Sequence, residues 1–148
     1  MNVYFVCTGN TCRSPMAEAI LKHKGISNIE VKSAGVYAMD GGEMSINAQK
    51  VLDEQGISHN HTSTQVTEQD LKWATIILTM TRAHKEIILR NYPKFADKTF
   101  TLKEYATPYT ELDVSDPFGG DVHMYRQTFE ELSKLIQKFE ERYKEDYL

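Results

Sequence analysis

The sequence lacks a long hydrophobic run and a surplus of basic residues. None of its apolar stretches approaches the length of about 18 to 20 residues that a membrane-spanning helix needs. Its net charge at pH 7 is −4, whereas a nucleic-acid-binding surface needs a concentrated basic face. The opening stretch MNVYFVC leads directly into a predicted strand, which leaves no room for a signal peptide. We therefore expect a cytoplasmic protein that binds neither nucleic acid nor membranes.

Cysteine is also scarce, since Cys7 and Cys12 are the only two in 148 residues. So few cysteines, placed so close together, argue against a disulfide scaffold. A zinc site would need two further ligands, and the five histidines show no ligand spacing. We expect no metal and no cofactor. The chain length favours one domain over residues 1–148, and we expect it to act as a monomer.

Strand and helix patterns alternate along the chain. Short β-forming runs predict strands near residues 3–6, 29–34, 75–80 and 98–102, with helical spacing between them. This order predicts an α/β fold: a four-stranded parallel sheet with helices on both faces. A long loop is predicted over 103–120. The apolar residues of the last helix favour packing on the sheet over a coiled coil: Val122, Tyr125, Phe129, Leu132, Ile136, Phe139 and Tyr143.

The stretch FVCTGNTCRSP joins the first strand to the first helix. Ligands of parallel α/β folds bind at this end of the strands, close to helix N-termini, where free N–H groups attract anions. Gly9 permits a positive φ, Asn10 tolerates one, and Ser14 with Pro15 is typical of a helix start. We interpret the loop as a phosphate-binding cradle made of Thr8, Gly9, Asn10, Thr11, Cys12, Arg13 and Ser14.

The cradle places a thiol where the anion would bind. The guanidinium of Arg13 matches two phosphoryl oxygens, and the positive field should make Cys7 ionise far below about 8.5, the ordinary thiol value. Cys7 would then act as a nucleophile. The alternative is a buried structural cysteine beside a solvated arginine. A nucleotide loop is disfavoured, because the stretch has no Gly-Lys-Ser/Thr ending and only one glycine.

At these residues the chain resembles the low-molecular-weight protein tyrosine phosphatase family. The family signature C-x-G-N-x-C-R-S-P matches CTGNTCRSP at every fixed position, and the likeness extends to SAG, LTM and a late Asp-Pro. The resemblance implies the doubly wound, phosphatase I-like form of the fold. It also implies a metal-independent phosphatase with Cys7 as nucleophile, Arg13 as phosphate clamp and Asp116 as general acid. Cys12 would be the redox partner of Cys7.

Two departures from the common family pattern concern the leaving group. Many tyrosine-specific members carry an aliphatic residue at the position of Thr11, and paired tyrosines where this chain has Phe118 and Gly119. Both departures resemble the bacterial protein arginine phosphatase branch. A hydroxyl beside a phenol ring goes unsatisfied, whereas beside a guanidinium it can bond. We therefore expect phosphoarginine in proteins as the substrate, with specificity set by Thr11 and Phe118.

Three other functions remain open at this point. Thr11 could be a neutral near-isostere in an enzyme that cleaves phosphotyrosine. Arsenate reduction uses a related thiolate, but it would want a relay of cysteines that this chain lacks. A non-catalytic phosphoprotein-binding module would keep the cradle but would need neither Cys7 nor Asp116.

Overall fold

A computed structural model describes residues 1–107 and 113–147. In this part of the chain the strands are β1 (Asn2–Cys7), β2 (Glu30–Gly35), β3 (Ile76–Thr79) and β4 (Thr99–Thr101). The α-helices are α1 (Arg13–His23), α2 (Ile46–Glu54), α3 (Glu68–Trp73), α4 (Arg82–Asn91), α5 (Leu102–Ala106) and α6 (Val122–Tyr147). A short 3-10 helix spans Pro93–Lys98.

The four strands form one parallel sheet in the order β2-β1-β3-β4. Strand β1 is central, and its Val3 is paired with Val31 on one side and Ile76 on the other. Because every strand runs the same way, their carboxyl ends meet at one edge. There Cys7, the last residue of β1, is paired with Gly35 of β2.

Alternating side chains of β1 build two cores, one on each face of the sheet. Val3 and Phe5 pack into a core with residues of α1, α2, α5 and α6. Tyr4 and Val6 point the other way, into a second core with residues of α3 and α4. Burial on both faces explains why the β1 sequence is apolar without alternation. The predicted doubly wound α/β fold is confirmed.

The predicted loop over 103–120 is wrong in its first part, because α5 covers Leu102–Ala106. A capping box starts this helix: the Thr101 hydroxyl accepts the N–H of Glu104, and the Glu104 carboxylate accepts the N–H of Thr101. This Thr-x-x-Glu signal is present in the sequence and could have been used. Residues 108–112 of the predicted loop lie outside the described residues.

The predicted start of α1 is also wrong. The helix begins at Arg13, and its N-cap residue, Cys12, makes no side-chain capping bond. Ser14 therefore lies in the first turn rather than at the cap, and its hydroxyl is free to turn toward the preceding loop. By contrast, α3 has a side-chain cap, since the Thr67 hydroxyl accepts the N–H of Asp70.

Helix α6 packs into the larger core, on the face of the sheet to which Val3 and Phe5 of β1 point, as predicted. Its buried apolar residues belong to the larger core: Tyr125, Phe129, Leu132, Leu135, Ile136 and Phe139. The opposite side of the helix is charged and exposed, as in a surface helix of a globular domain. Among residues 1–107 and 113–147, no helix combines the length and apolar character that crossing a membrane requires.

The contribution of α6 to stability can be measured at Phe139, which is fully buried. Phe139→Ala should lower the free energy of unfolding by about 3 to 5 kcal/mol, because it removes a ring and leaves a cavity. Phe118→Ala is the matched control: this ring is 78% exposed, so the change should stay within about 0.5 kcal/mol. Urea denaturation measures both, and equal losses would contradict the packing of α6.

Candidate active site

A pocket of about 200 Å³ opens at the carboxyl edge of the sheet. The loop between β1 and α1 forms its floor and two walls, and a segment that precedes α6 forms the third wall. The residues that line it are Cys7, Thr8, Gly9, Thr11, Cys12, Arg13, Asp116 and Phe118. The structure thus brings together most of the site residues expected from the sequence. Asn10 and Ser14 lie behind the pocket, both fully buried.

Asn10 holds the loop in its conformation. Its φ is 57°, so the left-handed turn predicted for this loop is at Asn10. The side-chain amide of Asn10 donates to the hydroxyls of Ser14 (2.8 Å) and Ser33 (3.0 Å), and its oxygen accepts the N–H of Thr64 (3.0 Å). One side chain therefore ties the loop to α1, to β2 and to the segment before α3.

The carbonyl of Asn10 has two further partners outside the pocket. It accepts from Nε2 of His61 at 2.7 Å and from the hydroxyl of Ser63 at 2.9 Å. These bonds turn the carbonyl dipole toward donors that do not line the pocket, so it does not oppose a bound anion. Sequence reasoning missed His61, Ser63, Ser33 and Thr64, because they reach the loop only through the fold.

The glycine that the loop needs most is Gly35, not Gly9. Gly9, which permits a positive φ, does not adopt one, and a Cβ there would meet Thr11 Oγ1 at an ordinary 3.8 Å. A Cβ on Gly35 would lie 2.3 Å from the Thr8 carbonyl oxygen and 2.9 Å from the Asn10 nitrogen. The loop thus rests directly on the backbone at the end of β2.

Cys7 lies at the floor of the pocket and is 3% exposed. Its Sγ is 2.8 Å from the Ser14 hydroxyl and also accepts the backbone N–H groups of Ser14 and Asn10. Burial raises the pKa of the Cys7 thiol above its ordinary value, whereas these three donors and the charge of Arg13 lower it. Burial is the largest influence, so the depressed pKa expected from the sequence is wrong.

Arg13 joins the loop to the opposite wall. Its guanidinium is almost fully buried; Nη1 donates to the carbonyl of Val114 at 3.2 Å, and Nη2 forms an ion pair with Asp116 Oδ2 at 3.4 Å. Val114 is itself fixed, since its N–H donates to the carbonyl of Met80 at the end of β3. One arginine therefore joins the loop that carries the thiol to the Asp116 carboxylate, which lines the same pocket.

Asp116 and Phe118 lie at the mouth of the pocket. The Asp116 side chain is 54% exposed, and its Oδ1 accepts the N–H of Phe118 at 3.1 Å. A turn follows, in which the Gly120 N–H donates to the Pro117 carbonyl at 2.8 Å and Gly119 has a φ of 78°. The turn leaves the Phe118 ring exposed at the entrance.

Thr11 and Cys12 form the wall on the side of α6. Thr11 is partly exposed, and its Oγ1 lies 3.6 Å from Cys12 Sγ, which is a weak hydrogen-bond partner. Cys12 Sγ also lies 3.3 Å from the hydroxyl of Tyr125. Burial and the bond to Cys12 raise the pKa of Tyr125. No local sequence signal links Tyr125, a residue of α6, to this loop.

The described residues contain no cluster of three His, Cys, Asp or Glu side chains that could hold a metal ion. The polar groups of the pocket instead suit a small tetrahedral anion: helix N–H groups, a buried guanidinium, and a thiol below them. A parallel α/β sheet that ends in such a loop, with a cysteine on its floor, is the architecture of cysteine-dependent phosphatases.

Comparison with known proteins agrees with this class. The model of the family "Low molecular weight phosphotyrosine protein phosphatase" matches residues 2–147, and the chain belongs to this family. A protein-arginine-phosphatase of Geobacillus stearothermophilus is 48% identical over 140 residues, which are 95% of this chain and 94% of that protein. The low molecular weight protein-tyrosine-phosphatase PtpB of Staphylococcus aureus is 42% identical over 141 residues, covering 95% and 98%.

A solved structure shows the same fold. It is a YwlE arginine phosphatase in which serine replaces cysteine and the active-site serine is phosphorylated. It superposes with a TM-score of 0.94 at 44% identity, covering 99% of this chain and 98% of that one. In that relative, therefore, an active-site side chain carries the phosphoryl group itself.

The hydroxyl of Ser14 can be tested as a stabiliser of the thiolate. Ser14→Ala removes a donor that lowers the pKa of Cys7, so the pKa should rise and the thiolate fraction at a fixed pH should fall. The acid limb of the pH–kcat/KM profile should move to higher pH, as should the pH dependence of alkylation by iodoacetamide. The control is Ser58→Ala, at an exposed serine. Unchanged alkylation in the Ser14 variant would contradict this role.

Proposed function

We propose that this chain removes phosphate from phosphoarginine residues of proteins, with Cys7 as the nucleophile. The observation that carries the proposal is the hydroxyl of Thr11 on the pocket wall, whose hydrogen-bond partner within residues 1–107 and 113–147 is only a weak one, a sulfur atom at 3.6 Å. Such a hydroxyl can exchange that partner for an N–H of a guanidinium, which a phenol ring does not offer.

In the first step, the Cys7 thiolate, which the Ser14 hydroxyl and the N–H groups of Ser14 and Asn10 stabilise, attacks phosphorus and the phosphorus–nitrogen bond breaks. The phosphoryl oxygens are held by Arg13 and by the free N–H groups at the start of α1. The leaving nitrogen takes a proton from the protonated carboxyl group of Asp116, which lines the same pocket as Cys7 and lies beside Arg13. The products are a phosphocysteine and a neutral or protonated arginine side chain.

In the second step, water attacks the phosphocysteine. Asp116, now a carboxylate, accepts a proton from the water, and the Cys7 thiolate leaves. Ser14 and the N–H groups of Ser14 and Asn10 receive that thiolate, so the donors that oppose the effect of burial act in both steps. Inorganic phosphate is released, and the pocket returns to its starting state.

The relatives support arginine over tyrosine. A relative named protein-arginine-phosphatase shares 48% of its residues with this chain, and the arginine phosphatase with a phosphorylated serine has the same fold. The tyrosine phosphatase of Staphylococcus aureus, at 42% identity, makes phosphotyrosine the second candidate substrate. Arsenate reduction and simple phosphoprotein binding have no such relative among these, and Cys7 with Asp116 argues for turnover.

Cys12 is proposed as the redox partner of Cys7. Both thiols are free and both line the pocket. If peroxide oxidises Cys7 to a sulfenic acid, the Cys12 thiol can condense with it, forming a disulfide and releasing water. The pair would protect the nucleophile from irreversible oxidation.

Asp116→Asn should slow the first step, because the amide cannot protonate the leaving atom. We expect a loss of about 100-fold to 10,000-fold with phenyl phosphate and a smaller loss with p-nitrophenyl phosphate, whose leaving group needs no proton. Asp113→Asn is the matched control, since the Asp113 carboxylate instead accepts the N–H of Arg82 at 2.8 Å. Equal losses on both esters would assign the acid to another residue.

Thr11→Ile tests the substrate. Wild type should have the higher kcat/KM on a phosphoarginine peptide than on a phosphotyrosine peptide of the same sequence. The substitution keeps volume and branching but removes the hydroxyl. A lost hydrogen bond of about 0.5 to 3 kcal/mol should shift the ratio of the two kcat/KM values toward phosphotyrosine by about threefold to a hundredfold.

Thr11→Ser is the control for that experiment, because it keeps the hydroxyl and removes only a methyl group. Its ratio should stay closer to wild type than that of Thr11→Ile. If both activities of Thr11→Ile fall together, Thr11 supports the loop rather than choosing the substrate. If wild type prefers phosphotyrosine, the proposed substrate is wrong.

A further inference from the structure

A second hydroxyl, that of Thr8, stands at the mouth of the same pocket. Thr8 directly follows Cys7 and is exposed, while Cys7 is buried below it. The backbone of Thr8 is fixed, because its carbonyl accepts the N–H of Tyr37 at 2.9 Å. Its side chain is fixed separately: Oγ1 lies 2.8 Å from Nε2 of His84, in the first turn of α4.

His84 is a neutral partner for this hydroxyl. It is 5% exposed, and burial together with the positive charge of Arg13 lowers its pKa to about 4, against the opposing effect of Asp113 and Asp116. A neutral imidazole carries one N–H and one acceptor nitrogen. The imidazole of His84 therefore stays neutral over the physiological pH range, and its hydrogen bond to Thr8 does not change with pH there.

The second ring nitrogen of His84 indicates which way the bond runs. Nδ1 is buried and has no hydrogen-bond partner within residues 1–107 and 113–147. An orphaned buried N–H is rarer in proteins than an orphaned acceptor. The proton is therefore assigned to Nε2, which donates to Thr8 Oγ1.

This assignment leaves the Thr8 hydroxyl free to make two hydrogen bonds to a ligand, one as a donor and one as an acceptor. A hydroxyl has one donor and two acceptor lone pairs, and His84 uses one lone pair. The O–H can donate to a phosphoryl oxygen, and the second lone pair can accept an N–H. In phosphoarginine, a phosphoryl oxygen and a guanidinium N–H lie side by side at the bond that breaks. In phosphotyrosine, the bridging atom is an ether oxygen without hydrogen.

We propose that Thr8, positioned by His84, is a second specificity residue for the guanidinium leaving group, on the side of the pocket next to α4. The inference rests on the proposed phosphoarginine activity and adds a contact to it. A purely structural role for the Thr8 hydroxyl is weaker, because the frame of the loop is carried by Asn10 and by the backbone of Thr8.

The direct test is Thr8→Val, which keeps the shape and removes the hydroxyl. The readout is the ratio of kcat/KM on phosphoarginine and phosphotyrosine peptides of identical sequence. The ratio should fall by about threefold to a hundredfold, as expected for one lost hydrogen bond. Inhibition of the same variant by inorganic phosphate reports on the phosphate-binding cradle. The Ki of phosphate should change by a smaller factor than the ratio of the two kcat/KM values.

Two substitutions of His84 separate positioning from packing. His84→Gln places an amide N–H near the position of Nε2 and should keep the ratio near that of wild type. His84→Asn places its amide near Nδ1, so it cannot reach Thr8, and the ratio should fall as in Thr8→Val. Thermal unfolding of both variants checks that they are folded. The same ratio in the Gln and Asn variants would overturn the positioning role.

The ratio of the two kcat/KM values in each variant is compared with the ratio in wild type. The comparison therefore tests Thr8 whichever substrate the wild type prefers. A preference of wild type for phosphotyrosine would refute the proposed substrate but not this test. If Thr8→Val leaves the ratio within twofold, or lowers both activities equally, the inference is wrong and the proposed function stands.

Discussion

The conformation of Asn10 is the constraint on which the active site depends. A non-glycine residue with positive φ is uncommon, although asparagine accepts it more readily than most. Here the cost is offset by hydrogen bonds from both the side chain and the carbonyl, which reach α1, β2 and the segment before α3. These bonds fix the loop before any ligand arrives, so binding an anion requires little reorganisation. The thiol and the guanidinium inherit their positions from this frame.

The thiol at the centre of the frame is subject to two opposing effects. Burial removes water from Cys7 and disfavours its charged form, whereas Ser14, two backbone N–H groups and Arg13 favour it. The same exclusion of water strengthens each of those interactions once a phosphoryl group occupies the pocket. Burial therefore makes the thiol harder to ionise, but it also provides a dry environment in which a few well-placed donors act strongly on the reacting atoms.

Local sequence signals were enough to predict the sheet and the loop, whereas Asp116 and Phe118 of the pocket were predicted from the family resemblance. The strand, the turn at Asn10, and the cysteine and arginine of the loop lie within eleven residues, so their chemistry can be inferred without a fold, although the helix begins at Arg13 and not at the predicted Ser-Pro. What could not be predicted depends on contacts between distant segments. Gly35 meets the loop only because β2 is paired with β1, and His84 meets Thr8 only because β3 brings α4 to the same edge. The predicted lowering of the Cys7 pKa was wrong, because the burial of the thiol depends on the segments packed around the loop and cannot be inferred from the loop sequence alone.

The hydrogen bonds that hold the loop do not involve the side chain of Thr11. Within residues 1–107 and 113–147, the Thr11 hydroxyl bonds only to the sulfur of Cys12. The exposed ring of Phe118 also takes no part in the bonds that hold the loop. In the proposed reaction these two residues face the leaving group, and they can vary without breaking the hydrogen bonds that hold the loop. Such separation favours evolution of new specificity. A single substitution at one of these positions can change which phosphorylated side chain is the preferred substrate, while the hydrogen bonds that stabilise the loop and the residues that carry out the reaction stay the same.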